Sequence, residues 1–298
     1  MSNVVGRFAP TPSGRMHLGN VFAALISWLS VRSRDGQWVL RMEDLDTLRT
    51  SDAYAEVLRQ DLLWLGLNWD LETQKQSSRS AVYDKYFVRL QEVGLLYPCY
   101  CTRSQLHSVN APHLSDGTYV YPGTCRNLTD PPGGRDPSWR VTVPDKVYSL
   151  EDLCQGHYEL NLASECGDFV VRRADGVYVY QLAVTVDDGE AGVTEVVRGM
   201  DLLSSAPRQM YLQEVLGFST PEYGHVPMLL APDGRRLSKR DRDLDLGVLK
   251  ERMSPEALLG ALAFAAGLID QKASVSAREL AAEFTWDKLK KEDIYLTL

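Results

Sequence analysis

Apolar positions along the chain fall into segments of different period. Asn3-Val4-Val5-Gly6-Arg7-Phe8-Ala9 is a short, mostly apolar run closed by Pro10-Thr11-Pro12-Ser13-Gly14, the pattern of a buried strand entering a rigid turn. From Met16 to about Val31 apolar residues return at helical spacing (Met16, Leu18, Val21, Leu25, Trp28, Leu29). Asp35-Gly36 then turns the chain into a second strand, Gln37–Met42. Strand, helix and strand in such short order form a βαβ unit, whose right-handed crossover sets its strands parallel. Further helices are predicted over Asp52–Leu65, ended by Gly66, and over Val82–Leu96.

The texture changes at Tyr97-Pro98. From there to about Tyr180, Gly and Pro are frequent and the strand-like pieces are short: Trp139–Val143, Phe169–Arg173 and Val177–Tyr180, with Asp175-Gly176 as a hairpin turn. This reads as a β-rich module inserted into an α/β, parallel-sheet body. Apolar strand and helix patterns resume from Gln181 through Leu216. The tail is read as helical, Ser254 capping and Pro255 in the first turn. The expected division is therefore 1–97 with 178–248 as the body, 98–177 as the insert and 249–298 as a helical C-terminal region.

Composition narrows the class. With 298 residues, 44% of them apolar and 24% charged, the chain matches a soluble protein of roughly two domains. No apolar run approaches the ~18 residues of a membrane span, and the N-terminus lacks the layout of a signal peptide, so a cytoplasmic protein with no membrane partner is expected. In that compartment Cys99, Cys101, Cys125, Cys154 and Cys166 are not read as disulfides. The net charge of −8 argues against a generally basic nucleic-acid-binding surface but leaves room for a local basic groove. Neither G-x-x-x-x-G-K-[ST] nor G-x-G-x-x-G occurs, which disfavours P-loop enzymes and ordinary dehydrogenases.

Three constellations carry chemistry. Arg7 through Asn20 joins a strand, a rigid turn and a helix amino end, where backbone N–H groups and the helix dipole favour an anion. His17 and Asn20, three apart, would share a helical face; the turn by itself also reads as a Pro/Gly turn capped by Ser13. The second is Arg235-Arg236-Leu237-Ser238-Lys239-Arg240, in which five basic residues (235, 236, 239, 240, 242) fall within eight positions. Alone it reads as a solvated loop, yet it could also clamp phosphates. The third is Cys99-x-Cys101 followed by Tyr121-x-x-x-Cys125: three thiolates and one more donor suit a four-coordinate zinc, the fourth place open to Tyr121, His107, His113 or water. Cys154 and Cys166 read as buried apolar thiols.

Together these resemble the class I aminoacyl-tRNA synthetases. His17-Leu18-Gly19-Asn20 is similar to the His-Ile-Gly-His element and Arg236-Leu237-Ser238-Lys239-Arg240 to the Lys-Met-Ser-Lys-Ser loop, in the family's order and more than 200 residues apart. Asn20 stands for the last His and Arg236 for the first Lys. The stretches Arg7–Gly14, Arg41–Asp46, Tyr180-Gln181-Leu182-Ala183 with Asp187-Asp188, and Val197–Leu203 are similar to the glutamate branch. The cysteine pattern resembles the glutamyl-Q tRNA(Asp) synthetase subfamily.

The resemblance implies a Rossmann-like catalytic domain, an inserted zinc-binding, tRNA-contacting module and a short helical C-terminal region. It implies Arg7, Ala9, Thr11, Glu43, Tyr180 and Arg198 around L-glutamate, with Glu43 on the ammonium. His17, Gly19, Asn20 and Lys239 would bind ATP with Mg²⁺, His17 and Lys239 as catalytic residues. Cys99, Cys101, Tyr121 and Cys125 would hold one structural Zn²⁺. The expected partner is tRNA(Asp) bearing queuosine and the expected state a monomer. Only 59 residues follow Lys239, too few for the anticodon-binding domains of a complete glutamyl-tRNA synthetase. The alternatives are a truncated enzyme charging a tRNA 3′ end, a catalytically silent tRNA-binding module, or another nucleotidyl transferase. Read residue by residue, Arg198 could equally pair with Asp201 or Asp44, and Tyr180 could simply pack on a sheet.

Overall fold

β1 (Val5–Phe8) and β2 (Gln37–Leu40) are buried over three of their four residues, and α1 (Leu18–Arg32) between them is apolar on nearly every side, as a helix enclosed by a sheet and further helices must be. The computed structural model describes residues 4–102, 105, 120–130, 132–235 and 245–296. The two strands pair in parallel, Arg7 opposite Val39, as the βαβ reading requires. Trp38 stacks on Phe8 at 5.9 Å and donates its indole N–H to Ser27 Oγ at 2.9 Å, fixing α1 on the sheet.

α2 (Asp52–Trp64) opens at Ser51, whose hydroxyl accepts from the Tyr54 N–H, and Gly66 follows its end with φ 74°. β3 (Leu71–Glu72) comes next, then α3 (Ser80–Glu92). α3 stops short of the predicted Leu96: Gly94 takes φ 72°, and Leu96 instead begins β4 (Leu96–Cys99). β4 pairs antiparallel with β5 (Ser138–Val141).

β6 (Val147–Asp152) and β7 (Gly156–Asn161) form a hairpin that the hydrophobic pattern does not announce, because one of its inward positions is the charged Asp152. β8 (Phe169–Arg172) completes a three-stranded sheet, order β4-β5-β8. The expected strand Val177–Tyr180 shrinks to one bridge between Tyr178 and Arg172; Tyr180 already opens α4 (Tyr180–Glu190). A continuous apolar run does not separate strand from enclosed helix by period, and here the helix prevails.

β9 (Glu195–Gly199), α5 (Ala206–Leu216), β10 (Glu222–Val226) and β11 (Leu229–Leu230) follow. The C-terminal region holds α6 (Leu246–Arg252), α7 (Pro255–Ala265) and α8 (Ala277–Glu283), with Ser254 capping α7 as expected. It is not wholly helical, for β12 (Ile294–Tyr295) returns to pair in parallel with β11. Leu258, Leu262, Leu280 and Ile294 join the core built on Leu25, Leu29 and Trp38, so this region seals the body.

The main sheet runs β10-β9-β1-β2-β3, every neighbour parallel. From β1 the chain winds outward to β2 on one side and later to β9 on the other. That reversal leaves a crevice at the carboxyl ends of β1 and β9, where open α/β sheets take their ligands. Among the described residues no helix is long and apolar enough to cross a membrane.

Candidate active site

A cleft of about 580 Å³ opens at those strand ends. Arg7, Ala9 and Thr11 enter it from β1 and the turn beyond, Glu43 from just past β2, and Arg198 from β9. Tyr180 reaches it from the start of α4, so it is not a sheet-packing aromatic. His17, Gly19 and Asn20 bring in the amino end of α1. Nine residues singled out in the sequence thus meet in one place. The tenth, Lys239, lies outside the described residues with the rest of Arg236–Arg240 and Arg242. Asp245, just beyond that stretch, forms a bridge with His17 across the cleft edge.

His17 occupies the N-cap position of α1 with extended backbone and makes no side-chain cap hydrogen bond. It therefore precedes the helix rather than sharing a helical face with Asn20, and Ser13 is not the cap. The positive end of the α1 dipole faces the cleft. A Cβ on Gly19 would lie 3.0 Å from the His17 ring, so glycine lets the imidazole lie against the first turn.

Buried charge organises the floor. Arg41, 1% exposed, donates to Asp188 Oδ1 at 2.6 Å and to Glu43 Oε1 at 3.2 Å; Arg7 reaches Asp188 at 3.3 Å. Asp187 accepts from Gln76, Arg79 and Tyr83. Burial opposes ionisation of Asp188, but the Arg41 and Arg7 guanidiniums outweigh it and hold its pKa below the usual carboxylate value. At Glu43 burial wins over the same two arginines, and its pKa is raised. Glu43 is thus a carboxylate that a cation in the cleft would stabilise.

Arg198 differs from the other arginines of the site. Its Nε donates to His225 Nε2 at 2.9 Å, and Nη1 donates to Gln209 Oε1 at 2.8 Å and to the Tyr180 hydroxyl at 3.4 Å. Nη2 is buried and has no hydrogen-bond partner among the described residues. All its direct partners are neutral, and neither Asp201 nor Asp44 pairs with it; Asp44 accepts from the Ser77 backbone and hydroxyl instead. Asp188 acts on it only at a distance, and a buried guanidinium with no carboxylate in direct contact among the described residues is suited to receive an anion. Sequence reading does not single out Arg41, Asp152, Gln209 or His225. The available signal was a polar residue at a buried position of a strand, as His225 is between Gly224 and Val226 in β10.

The whole of residues 3–294 matches the family model described as tRNA synthetases class I (E and Q), catalytic domain. The chain is 45% identical to a glutamyl-Q tRNA(Asp) synthetase of Symbiobacterium thermophilum, over 97% of this chain and 94% of the relative. Against the same enzyme of Geobacter sulfurreducens it is 46% identical over 88% and 84%. The chain belongs to the glutamyl-Q tRNA(Asp) synthetases. Its fold superposes with a TM-score of 0.85 on a glutamate tRNA ligase of Elizabethkingia meningosepticum crystallised with its amino acid, at 27% identity, covering 99% of this chain and 67% of that one.

In this synthetase the cysteine cluster lies apart from the cleft. The Sγ atoms of Cys99, Cys101 and Cys125 all lie within 4.8 Å of one another, Cys101 and Cys125 at 3.6 Å. The Tyr121 hydroxyl stands 3.5 Å from Cys99 Sγ and 3.6 Å from Cys101 Sγ. Four donors about a tetrahedral ion with Zn–S of about 2.3 Å sit roughly 3.5–3.8 Å apart, so this set fits zinc. His107 and His113 lie outside the described residues.

Arg140 stacks over the Tyr121 ring at 3.7 Å and donates to Cys99 Sγ at 3.3 Å. Burial resists ionisation of Cys99, but the hydrogen bonds from Tyr121 and Arg140 prevail and lower its pKa. The loop carrying Tyr121 and Cys125 is tied to β8 by Arg126–Asp168 and by a bridge from Tyr121 to Gly167. Gly167 has φ 67°, and a Cβ there would lie 2.6 Å from the Tyr121 carbonyl. Cys154 and Cys166 are both buried in apolar clusters as read, and each also accepts a hydrogen bond, Cys154 from Gln155 Nε2 at 3.5 Å and Cys166 from Arg208 Nε at 2.9 Å.

Proposed function

We propose that this synthetase activates L-glutamate with ATP and transfers the glutamyl group to queuosine at the wobble position of tRNA(Asp). The observation that carries the glutamate reading is the pair of opposed ends in one cleft: the Arg198 guanidinium with neutral partners, and Glu43 with its raised pKa. Glutamate offers a side-chain carboxylate to the first and an α-ammonium to the second. Arg7, Ala9, Thr11 and Tyr180 line the space between.

ATP lies at the amino end of α1, where His17, Gly19 and Asn20 receive its phosphates and Lys239 closes on them. A glutamate α-carboxylate oxygen attacks the α-phosphorus; the bond to the bridging oxygen breaks and pyrophosphate leaves. Mg²⁺, when bound with ATP, neutralises phosphate oxygens. Charge grows on those oxygens in the transition state, so the helix dipole and the Lys239 ammonium lower the barrier. A queuosine hydroxyl then attacks the acyl carbon, loses its proton and expels AMP. Cys99, Cys101, Tyr121 and Cys125 would hold one structural zinc ion, which would join two segments of the 98–177 insert and so brace that module for contact with tRNA. The motif similarity, the family and the geometry of the four donors support these roles.

Radiolabelled glutamate and ATP, incubated with tRNA from queuosine-replete and queuosine-deficient cells, test the reading. Label is expected only on the replete tRNA(Asp). Label on tRNA(Glu), or on both preparations equally, overturns the queuosine destination.

A further inference from the structure

We propose that Asp152 and His225 are positioning residues that aim Arg198 at the ligand's side-chain carboxylate while keeping any carboxylate of the protein out of direct contact with it. This deepens the glutamate reading above and rests on it. Strands β9 and β10 pair in parallel with His225 opposite Arg198, so their side chains emerge on one face. A guanidinium has only donors, so the 2.9 Å contact requires His225 Nε2 to be the acceptor and to carry no proton. The imidazole proton therefore lies on Nδ1, which donates to Asp152 Oδ2 at 2.6 Å.

Asp152 is itself immobilised. Its Oδ1 accepts from the backbone N–H groups of Cys154, Gln155 and His225 at 2.9–3.0 Å. The end of β6 is docked on β10 by the Leu153 N–H donating to the Tyr223 carbonyl and by Gln155 Nε2 donating to the His225 carbonyl, each at 2.8 Å. The carboxylate that orients the arginine thus comes from the inserted hairpin.

On its other side Arg198 is held by Gln209, whose amide donates to Gln181 Oε1; Gln181 in turn donates to Ser205 Oγ. Nε and Nη1 are thereby engaged, while Nη2 is buried with no hydrogen-bond partner among the described residues and is the atom assigned to the ligand. A carboxylate in place of His225 would hold the same Nε–H, yet it would neutralise the guanidinium and compete with the substrate. A neutral imidazole with the carboxylate one bond further away avoids that.

The experiment is glutamate-dependent ATP–pyrophosphate exchange with wild type, His225→Phe and His225→Gln. Phenylalanine keeps a ring but removes the acceptor; glutamine restores an acceptor oxygen. His225→Phe is expected to raise KM for glutamate about tenfold to a hundredfold, with KM for ATP and kcat at saturating glutamate within about twofold; His225→Gln is expected to recover most of the loss. An unchanged glutamate KM, a parallel rise in the ATP KM, or no difference between the two variants overturns the proposal. Nitrogen NMR of the wild-type enzyme at neutral pH provides a test that needs no variant: His225 is expected protonated on Nδ1 and bare on Nε2, and the opposite tautomer overturns the relay. Wild-type enzyme that shows no glutamate-dependent exchange defeats the underlying reading instead, which separates the two failures.

Discussion

Replacing Arg198 by lysine keeps a positive charge and removes the fork. The guanidinium satisfies His225 and Gln209 with two separate nitrogens and keeps a third, Nη2, buried and without a hydrogen-bond partner among the described residues. One ammonium on a shorter reach cannot meet all three demands, so either a buried acceptor or the ligand's carboxylate loses its donor. A hydrogen bond to a charged group contributes about 1.5–3 kcal/mol. At about 1.4 kcal/mol per decade this corresponds to a rise of roughly 10- to 150-fold in the glutamate KM. Arg198→Ala goes further, because it strands a carboxylate with no cation in a buried site; a cost of about 3–5 kcal/mol converts to roughly 150- to 4,000-fold.

The assay is pyrophosphate exchange at saturating ATP with glutamate varied, and the ATP KM as internal control. Glutamine as competing substrate sharpens it, since wild type should reject the neutral amide and Arg198→Lys should discriminate less. A glutamate KM within threefold of wild type in Arg198→Lys would refute the assignment, because no arrangement of a lysine here reproduces the three-way contact.

Four other outcomes follow from the proposed roles. The raised pKa of Glu43 means that its carboxylate takes up a proton at a higher pH than an ordinary glutamate, so the glutamate KM should climb on mild acidification; Glu43→Gln should raise KM and flatten that profile. His225 has a folded pKa lowered to about 4, chiefly by burial, against roughly 6.5 unfolded, so the unfolded chain binds the proton first and stability is lost as pH falls from ~6.5 towards 4. The loss should reach about 2 kcal/mol by pH 5 in urea titrations, and His225→Gln should remove that component. Cys125→Ser should lower the zinc-to-protein ratio measured by atomic absorption and reduce the melting temperature, with chelator treatment of wild type giving the same shift. Lys239→Ala should slow pyrophosphate exchange at least tenfold with an unchanged melting curve; exchange at the wild-type rate would remove it from the catalytic set.

The parts of this molecule legible in its sequence are those whose contacts are local. The β1–α1–β2 unit is read from periodicity because each element's buried face is written in its own residues, and the Arg7–Asn20 stretch brings Arg7, Ala9, Thr11, His17, Gly19 and Asn20 to the cleft from one continuous segment. Elements whose burial depends on distant partners are misread. Leu96 looks like the last turn of a helix until β5 supplies a strand to pair with, and β12 has only two residues, which no pattern detects without β11. The hairpin β6–β7 hides because its inward Asp152 exists to meet His225, 73 positions away. Arg41 and Asp188, 147 positions apart, are equally silent as a pair. The buried ion network breaks the hydrophobic pattern where the site is built.

The way charge is distributed there explains how a neutral cluster selects a charged ligand. Arg7, Arg41, Arg79 and Arg198 stand against Glu43, Asp152, Asp187 and Asp188, so the formal total is zero and net attraction is not the device. Arg7, Arg41 and Arg79 each touch a carboxylate directly. Arg198 touches none, and its matching carboxylate acts through an imidazole. The result is a positive pole at β9 and a negative one at Glu43, fixed by strand register rather than by flexible side chains. On the proposed assignment, an amino acid with an ammonium at one end and a carboxylate at the other would fit that polarity in one orientation only, with its α-carboxylate towards the amino end of α1. Reversing the poles, with Glu43→Arg and Arg198→Glu together, should therefore not restore glutamate-dependent exchange, because the ligand would then turn its α-carboxylate away from the phosphates.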